Sequence, residues 1–253
     1  MSRHRHPRTI AVTVMAAALG VFGTISASTT PVALPATISA STTPAAPASA
    51  APTHAPFAAT SRHPFDDAKY WSSIFDDPAR DVWQKPADVV AALGLRPGMR
   101  VADLGAGTGY FSRYLSAAVG TGGTVFAVDT EPNLVARLRE RAEQEHTANV
   151  TPVLASFDDP RLPAGSIDVV LIVDTYHHLD ARLGYLTRLR GALKPHGRVA
   201  IVEWQAKPLP VGPPLEHKLA REQVIEEMQA AGYRLVAEPP ILPYQYVLLF
   251  EAP

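Results

Sequence analysis

Beyond residue 99 the sequence alternates short apolar runs with longer, more polar stretches, and this alternation restricts the fold more than any other feature. RVADL (100–104), TVFAVD (124–129), VTPVLA (150–155), IDVVLIVD (167–174) and RVAIVEW (198–204) read as strands. Residues 110–119, 132–145 and 181–193 read as the helices between them. Strands joined by helical crossovers pair in parallel, with the helices packed on the sheet faces. The unbroken apolar run at 167–174 is expected of a strand covered on both sides. A further helix at 221–231 is stopped by Gly232, and strands at 233–238 and 244–252 follow. The loop between those two is too short for a helix, so they pair antiparallel. The expected fold is α/β: three layers around a seven-stranded sheet, mostly parallel, with an antiparallel C-terminal strand. Ahead of it, residues 62–99 read as a helical cap. FDDAKYWSSIFDD suggests a short helix with Tyr70, Trp71, Ile74 and Phe75 toward a core, and Pro86 opens a second helix that ends at Gly94.

The first strand runs into VADLGAGTGY (101–110). Gly105, Gly107 and Gly109 let the backbone approach a ligand and permit positive φ, and the following helix offers unpaired N–H groups. A dinucleotide fingerprint is spaced G-x-G-x-x-G, whereas this turn is G-x-G-x-G with Tyr at 110. Asp103 sits just before the turn. A carboxylate there repels a pyrophosphate and suits a cationic head such as the ammonium of an amino acid. These two features set aside a nicotinamide-dependent oxidoreductase. Asp129 closes the second strand, where an acid commonly takes a ribose hydroxyl pair. An amino acid, a ribose and a base together describe S-adenosylmethionine.

On these motifs, residues 86–253 resemble the class I S-adenosylmethionine-dependent methyltransferases of small-molecule type, with their Rossmann-like fold. VADLGAGTGYFS is similar to the family's first motif and VFAVDTEP to its second strand. SFDDPRLPAGSIDVVLIVDTYHHL resembles the region from the adenine contact through the fourth strand, and LRGALKPHGRVAIVEW the turn before the fifth. The resemblance implies that the backbone of Gly105, Ala106, Gly107 and Gly109 lines the methionine part of the cofactor, with Asp103 near its ammonium. It implies ribose binding by Asp129, an adenine contact by Thr130, and another by Asp158 or its neighbour Asp159. Asp174, Thr175 and Tyr176 would end the fourth strand beside the methyl group, and Trp83, Gln84 and Lys85 would close over the cofactor.

Simpler readings stand beside these. The glycine turn could be a sharp strand–helix connection, Asp129 a helix cap before Pro132, and Asp158-Asp159-Pro160 a solvated turn. Adjacent histidines at 177 and 178 on an extended segment point apart, which is poor geometry for a metal. His217, Lys218 and Arg221 read as the start of a surface helix. The expected reaction is methyl transfer to a small-molecule acceptor, in which the protein aligns the partners and excludes water. Tyr176, His177 and Glu203 are the candidate proton acceptors. The absence of an Asn/Asp-Pro-Pro-Tyr motif favours an oxygen or carbon acceptor. The alternative is a noncatalytic exported domain that binds a nucleoside-like ligand.

The N-terminus is of another kind. Arg3, Arg5 and Arg8 precede the apolar run 10–25 and small residues at 26–28, the order of a secretory signal. Residues 1–27 are therefore expected to direct export or to anchor the chain, which places the rest outside the cytoplasm. A misassigned translation start would leave it cytoplasmic. Residues 28–61 are Ala-, Ser-, Thr- and Pro-rich, with TISASTTP at 24–31 and again at 37–44, and read as a disordered tether. Residues 100–253 complete the division as the methyltransferase domain. No acid precedes Asp66, so residues 66–253 hold 19 basic and 24 acidic groups. That balance argues against nucleic acid as a partner. Membrane contact is expected only through an uncleaved N-terminal segment. The chain has no cysteine, which excludes disulfides and thiolate chemistry.

Overall fold

The computed structural model describes residues 57–61, 65 and 67–253. The expected export segment and the tether up to residue 56 lie outside the described residues. The sheet order is β3-β2-β1-β4-β5-β7-β6. The strands are β1 (Arg100–Leu104), β2 (Thr124–Asp129), β3 (Val150–Leu154), β4 (Ile167–Val173), β5 (Leu193–Trp204), β6 (Arg234–Ala237) and β7 (Gln245–Glu251). The first five are parallel, and β7 runs antiparallel to both β5 and β6. The seven-stranded α/β sheet expected from the sequence is therefore the one observed.

Alternation along the strands divides the core into two layers. Ala102, Leu104, Val170, Ile172, Val199, Ile201, Leu248 and Phe250 face α6 (Arg182–Ala192) and α7 (Arg221–Ala230). Val101, Val169, Leu171, Ala200, Val202, Val247 and Leu249 lie on the other face with α3 (Pro86–Ala92) and α4 (Ser112–Val119). Leu138 of α5 (Pro132–Gln144) packs on Ala127 of β2. β4 and the Val199–Trp204 part of β5 have near-complete burial because both layers cover them.

The cap adds α1 (Ala68–Phe75) and α2 (Arg80–Gln84). Asp67 caps α1 by accepting from the Tyr70 N–H at 2.9 Å. The expected burial of Tyr70 and Ile74 is corrected: both are exposed, and no residue of α1 is buried. Only Trp71 and Phe75 turn inward, stacked at 5.2 Å between centroids. Lys85, at φ 42, makes the corner between α2 and α3, and Pro86 occupies the first turn of α3. Thr108 in the glycine turn donates to Asp76 at 2.9 Å, and Arg141 of α5 pairs with the same carboxylate at 2.7 Å. These bonds seat the cap on the carboxyl ends of the strands.

Residues 57–61 depart from the expected tether. The Phe57 N–H donates to Glu227 Oε1 at 2.7 Å, and the Arg182 guanidinium donates to the Ala58 carbonyl at 2.6 Å. The Thr60 N–H donates to the His177 carbonyl at 2.9 Å. Low-complexity composition said nothing of these bonds, because backbone groups and not side chains make most of them.

Candidate functional site

A cavity of about 1,100 Å³ opens at the carboxyl ends of β1, β2 and β4 and under the cap. Ligand pockets commonly span about 300–1,000 Å³. One half of its wall is the glycine turn from Asp103 to Phe111, less Gly109, together with Val128, Asp129, Thr130, Glu131 and Leu134. Gly105 has φ +76, and a Cβ there would lie 2.1 Å from Thr175 Oγ1, so only glycine lets the turn pass the end of β4. A Cβ on Gly107 would meet the Phe75 ring at 3.2 Å.

Two buried carboxylates stand in this half. Asp103 accepts from Ser112 Oγ at 2.6 Å, and burial pushes its carboxyl up to about 6 against the pull of that bond. Asp129 accepts from the Gly107 N–H at 2.8 Å and the Glu131 N–H at 3.0 Å, one bond to each oxygen. The Thr130 backbone also bonds the carboxylate, which still keeps acceptor capacity for a ligand hydroxyl. Burial holds Asp129 above its ordinary value despite these backbone bonds. A third carboxylate, Asp174, sits half-buried in the wall beyond β4 and is raised to about 7, chiefly by desolvation.

The other half is aromatic. Trp83 and Trp204 meet at 5.1 Å, and Phe65 lies 4.7 Å from Trp71 and 5.4 Å from His178. His177 Nδ1 lies 2.8 Å from Glu203 Oε1, and the His177 N–H donates to the same oxygen. Glu203 is fully buried and also accepts from the Trp204 N–H at 3.2 Å. With a carboxylate on Nδ1, that nitrogen carries the proton and Nε2 is left as acceptor. Burial works against both charges, but each partner outweighs it: His177 is held above its ordinary value and Glu203 below its own. The expected divergence of His177 and His178 is corrected, because they lie in a 3-10 turn with their rings 4.1 Å apart.

Several expected site residues fall elsewhere. Gly109 is outside the cavity wall; its φ is +87, and a Cβ there would meet Leu138 at 3.0 Å, so it is a packing position against α5. Asp158 points to solvent, bonded to Ser156 Oγ at 2.9 Å and paired with Arg188. Its neighbours Ser156 and Phe157 line the cavity instead. Tyr176 is fully buried away from the cavity, and its hydroxyl donates to Glu227 Oε2 at 3.0 Å. It is a core residue, not a proton acceptor for a ligand. Glu203 is not in the cavity wall and meets it only through its bond to His177. Lys85 is directed away, with Nζ donating to the Ile241 carbonyl at 3.1 Å. Of the three residues read as the start of a surface helix, only Arg221 begins one, paired with Glu238; His217 lies in the cavity wall and Lys218 is buried. Ser61, Phe65, Arg80 and Trp204 belong to the wall but carry no motif by which the sequence marked them as site residues for the cofactor.

The sheet order and a cavity at the strand ends, with carboxylates at the ends of β1 and β2, define a Rossmann-like α/β fold. Residues 101–197 match a family model described as a methyltransferase domain. The chain is similar to a ubiquinone/menaquinone biosynthesis C-methyltransferase of Ectopseudomonas mendocina, 31% identical over 57% of this chain and 59% of that protein. It is also similar to the nocamycin O-methyltransferase of Saccharothrix syringae, 32% identical over 46% of this chain and 45% of that one. The chain thus spans roughly half the length of these curated relatives. Among solved structures, it superposes on a SAM-dependent methyltransferase from Aquifex aeolicus with a TM-score of 0.71 and 28% identity, over 74% of this chain and 99% of that one.

Proposed function

We propose that the protein is an S-adenosylmethionine-dependent methyltransferase acting on a small-molecule acceptor. One observation carries the reading. The Cβ-free turn at Gly105 and Gly107 lies between two buried carboxylates, Asp103 and Asp129, in one cavity wall. Burial raises both carboxyls, so a ligand that brings cationic groups and hydroxyl donors relieves them. S-adenosylmethionine has that chemistry in its ammonium, sulfonium and ribose. Asp103 faces the ammonium, Asp129 the ribose hydroxyls through its remaining lone pairs, and Thr130, Leu134 and Phe157 the base.

Bound there, the cofactor supplies a methyl carbon activated by its sulfonium, open to displacement by a nucleophile. The protein's part is alignment and exclusion of water. The aromatic half suits a planar, largely apolar acceptor, and the similarity to a C-methyltransferase of ubiquinone/menaquinone biosynthesis supports an acceptor of that chemical kind. His177 takes the acceptor's proton at Nε2, and Glu203 holds the ring and stabilises the imidazolium. Calorimetric titration of the protein with S-adenosylmethionine and with its demethylated product tests the reading. Micromolar binding of both is the expected result, and a folded protein that binds neither overturns it.

The histidine arrangement has its own check. In an NMR titration the His177 imidazole is expected to titrate above 6.5, the ordinary value from which it is raised. Glu203→Gln removes the charge that opposes burial, and the imidazole then titrates below that value. The histidine's contribution to stability fades as pH rises through its raised folded value, and that of Glu203 is lost as pH falls through its lowered one. Unaltered titration in a folded Glu203→Gln protein rules the dyad out.

A further inference from the structure

At the carboxyl end of β4, four side chains from three elements close a ring of hydrogen bonds. Arg80 Nε donates to Gln84 Oε1 at 3.2 Å, and Gln84 Nε2 donates to Gln245 Oε1 at 2.6 Å. Gln245 Nε2 donates to Asp174 Oδ1, and Arg80 closes the ring on Asp174 Oδ2 at 3.4 Å. Gln84 and Gln245 are buried, at 0% and 3% exposure. The ring has a fixed direction. Arginine only donates, so Gln84 accepts with its oxygen and must donate with its nitrogen; Gln245 follows in turn. Both branches end on Asp174, which receives two donors and has no donor of its own to give. Two donors converging on that carboxyl favour its ionised form, the better acceptor.

Asp174 also lines the cavity, at φ 51, with its N–H fixed to the Val202 carbonyl at 3.0 Å. We propose that Gln84 and Gln245 are positioning residues that hold Asp174 as an anion facing the cofactor's sulfonium, so that the site distinguishes the charged methyl donor from its neutral thioether product. The inference rests on the cofactor reading above. Desolvation works against the Asp174 charge and raises the carboxyl to about 7; Arg80 opposes this, Glu203 adds to it, and His177 and the Gln245 bond ease it. A sulfonium nearby favours the ionised form and a thioether does not. Donor affinity relative to product affinity therefore rises as pH rises through the Asp174 titration. Asp103 and Asp129 face parts that donor and product share, so their titrations cancel in the ratio. His177 does not cancel, since losing its proton also favours a cationic ligand.

The test is calorimetric titration of the full chain with S-adenosylmethionine and with its thioether product across neutral pH. It is done for the unaltered protein, Gln245→Met, Gln84→Met and Asp174→Asn. Asparagine tolerates the left-handed backbone at 174. In the unaltered protein the donor-to-product preference is expected to rise up to about tenfold between about pH 6 and 8. Gln245→Met removes a donor to the carboxylate and shifts the rise to higher pH, Gln84→Met shifts it less, and Asp174→Asn flattens it. A flat ratio in the unaltered protein overturns the inference, as does a rise that persists undiminished in Asp174→Asn, which assigns all of it to His177. Glutamine variants that melt as cooperatively as the unaltered protein yet titrate like it also overturn it. If both ligands bind and only the ratio fails, the cofactor reading survives; if neither binds, both readings fall together.

Discussion

Asp129→Ala is expected to weaken S-adenosylmethionine binding by about a hundredfold or more. A hydrogen bond to a charged group contributes about 1.5–3 kcal/mol, and Asp129 keeps acceptor capacity beyond its backbone bonds for the ribose hydroxyls. Two such bonds correspond to about 3–6 kcal/mol, and every 1.4 kcal/mol is a factor of about ten in affinity. The same carboxylate also holds the Gly107 and Glu131 amides, so alanine loosens the turn as well as removing the acceptor. Asp129→Asn separates these effects, because it keeps one acceptor oxygen and the side-chain shape, and its loss is expected to lie between those of alanine and the unaltered protein. Burial raises the Asp129 carboxyl, so affinity declines toward acid from a higher pH than an ordinary aspartate would set. Binding within threefold of the unaltered protein in a folded Asp129→Ala variant would remove Asp129 from the site.

The residues that were legible in the sequence share a physical reason. Asp103, Gly105, Asp129 and Asp174 lie at strand ends, and a strand end fixes where its next side chain can go. The hydrophobic alternation that located β1, β2 and β4 therefore located the wall. The residues that were misplaced lie in turns, where one dihedral redirects a side chain. Asp158 satisfies itself on Ser156 and Arg188 within its own turn. Tyr176, in a 3-10 turn, is drawn into the core by Glu227, fifty-one positions along the chain. The ring of Arg80, Gln84, Gln245 and Asp174 joins residues up to 161 positions apart, with no spacing to announce it. Residues 57–61 show the limit from the other side. Their composition offers little burial, but two buried charges offer their backbone unusually strong partners.

Those charges supply the largest stability effect. Arg182 is fully buried, with Nε 2.6 Å from Glu227 Oε2 and a terminal nitrogen 2.8 Å from Oε1, a bidentate pair. It also donates to the Ala58 and Leu179 carbonyls, while Glu227 accepts from Tyr176, Gln223 and the Phe57 amide. Deleting one partner of a buried pair costs about 3–5 kcal/mol, because the other charge remains buried and uncompensated. Arg182→Met is expected to lower the urea-unfolding free energy by that amount, a large part of the roughly 5–15 kcal/mol of a natural domain. Arg221→Met, which breaks an exposed pair with Glu238, is the matched control and is expected to cost about 1 kcal/mol or less. Hydrogen exchange gives a second readout: the Phe57 amide loses protection in Arg182→Met because its acceptor, Glu227, has lost its charge partner. Burial opposes the Glu227 charge, but Arg182 and Gln223 outweigh it and hold the carboxyl below its ordinary value. Its contribution is therefore present above the unfolded value of about 4.3 and is lost as pH falls through the folded one. Equal losses in the two arginine variants would show that burial of this pair gives it no special weight, and that residues 57–61 are held by something other than the pair.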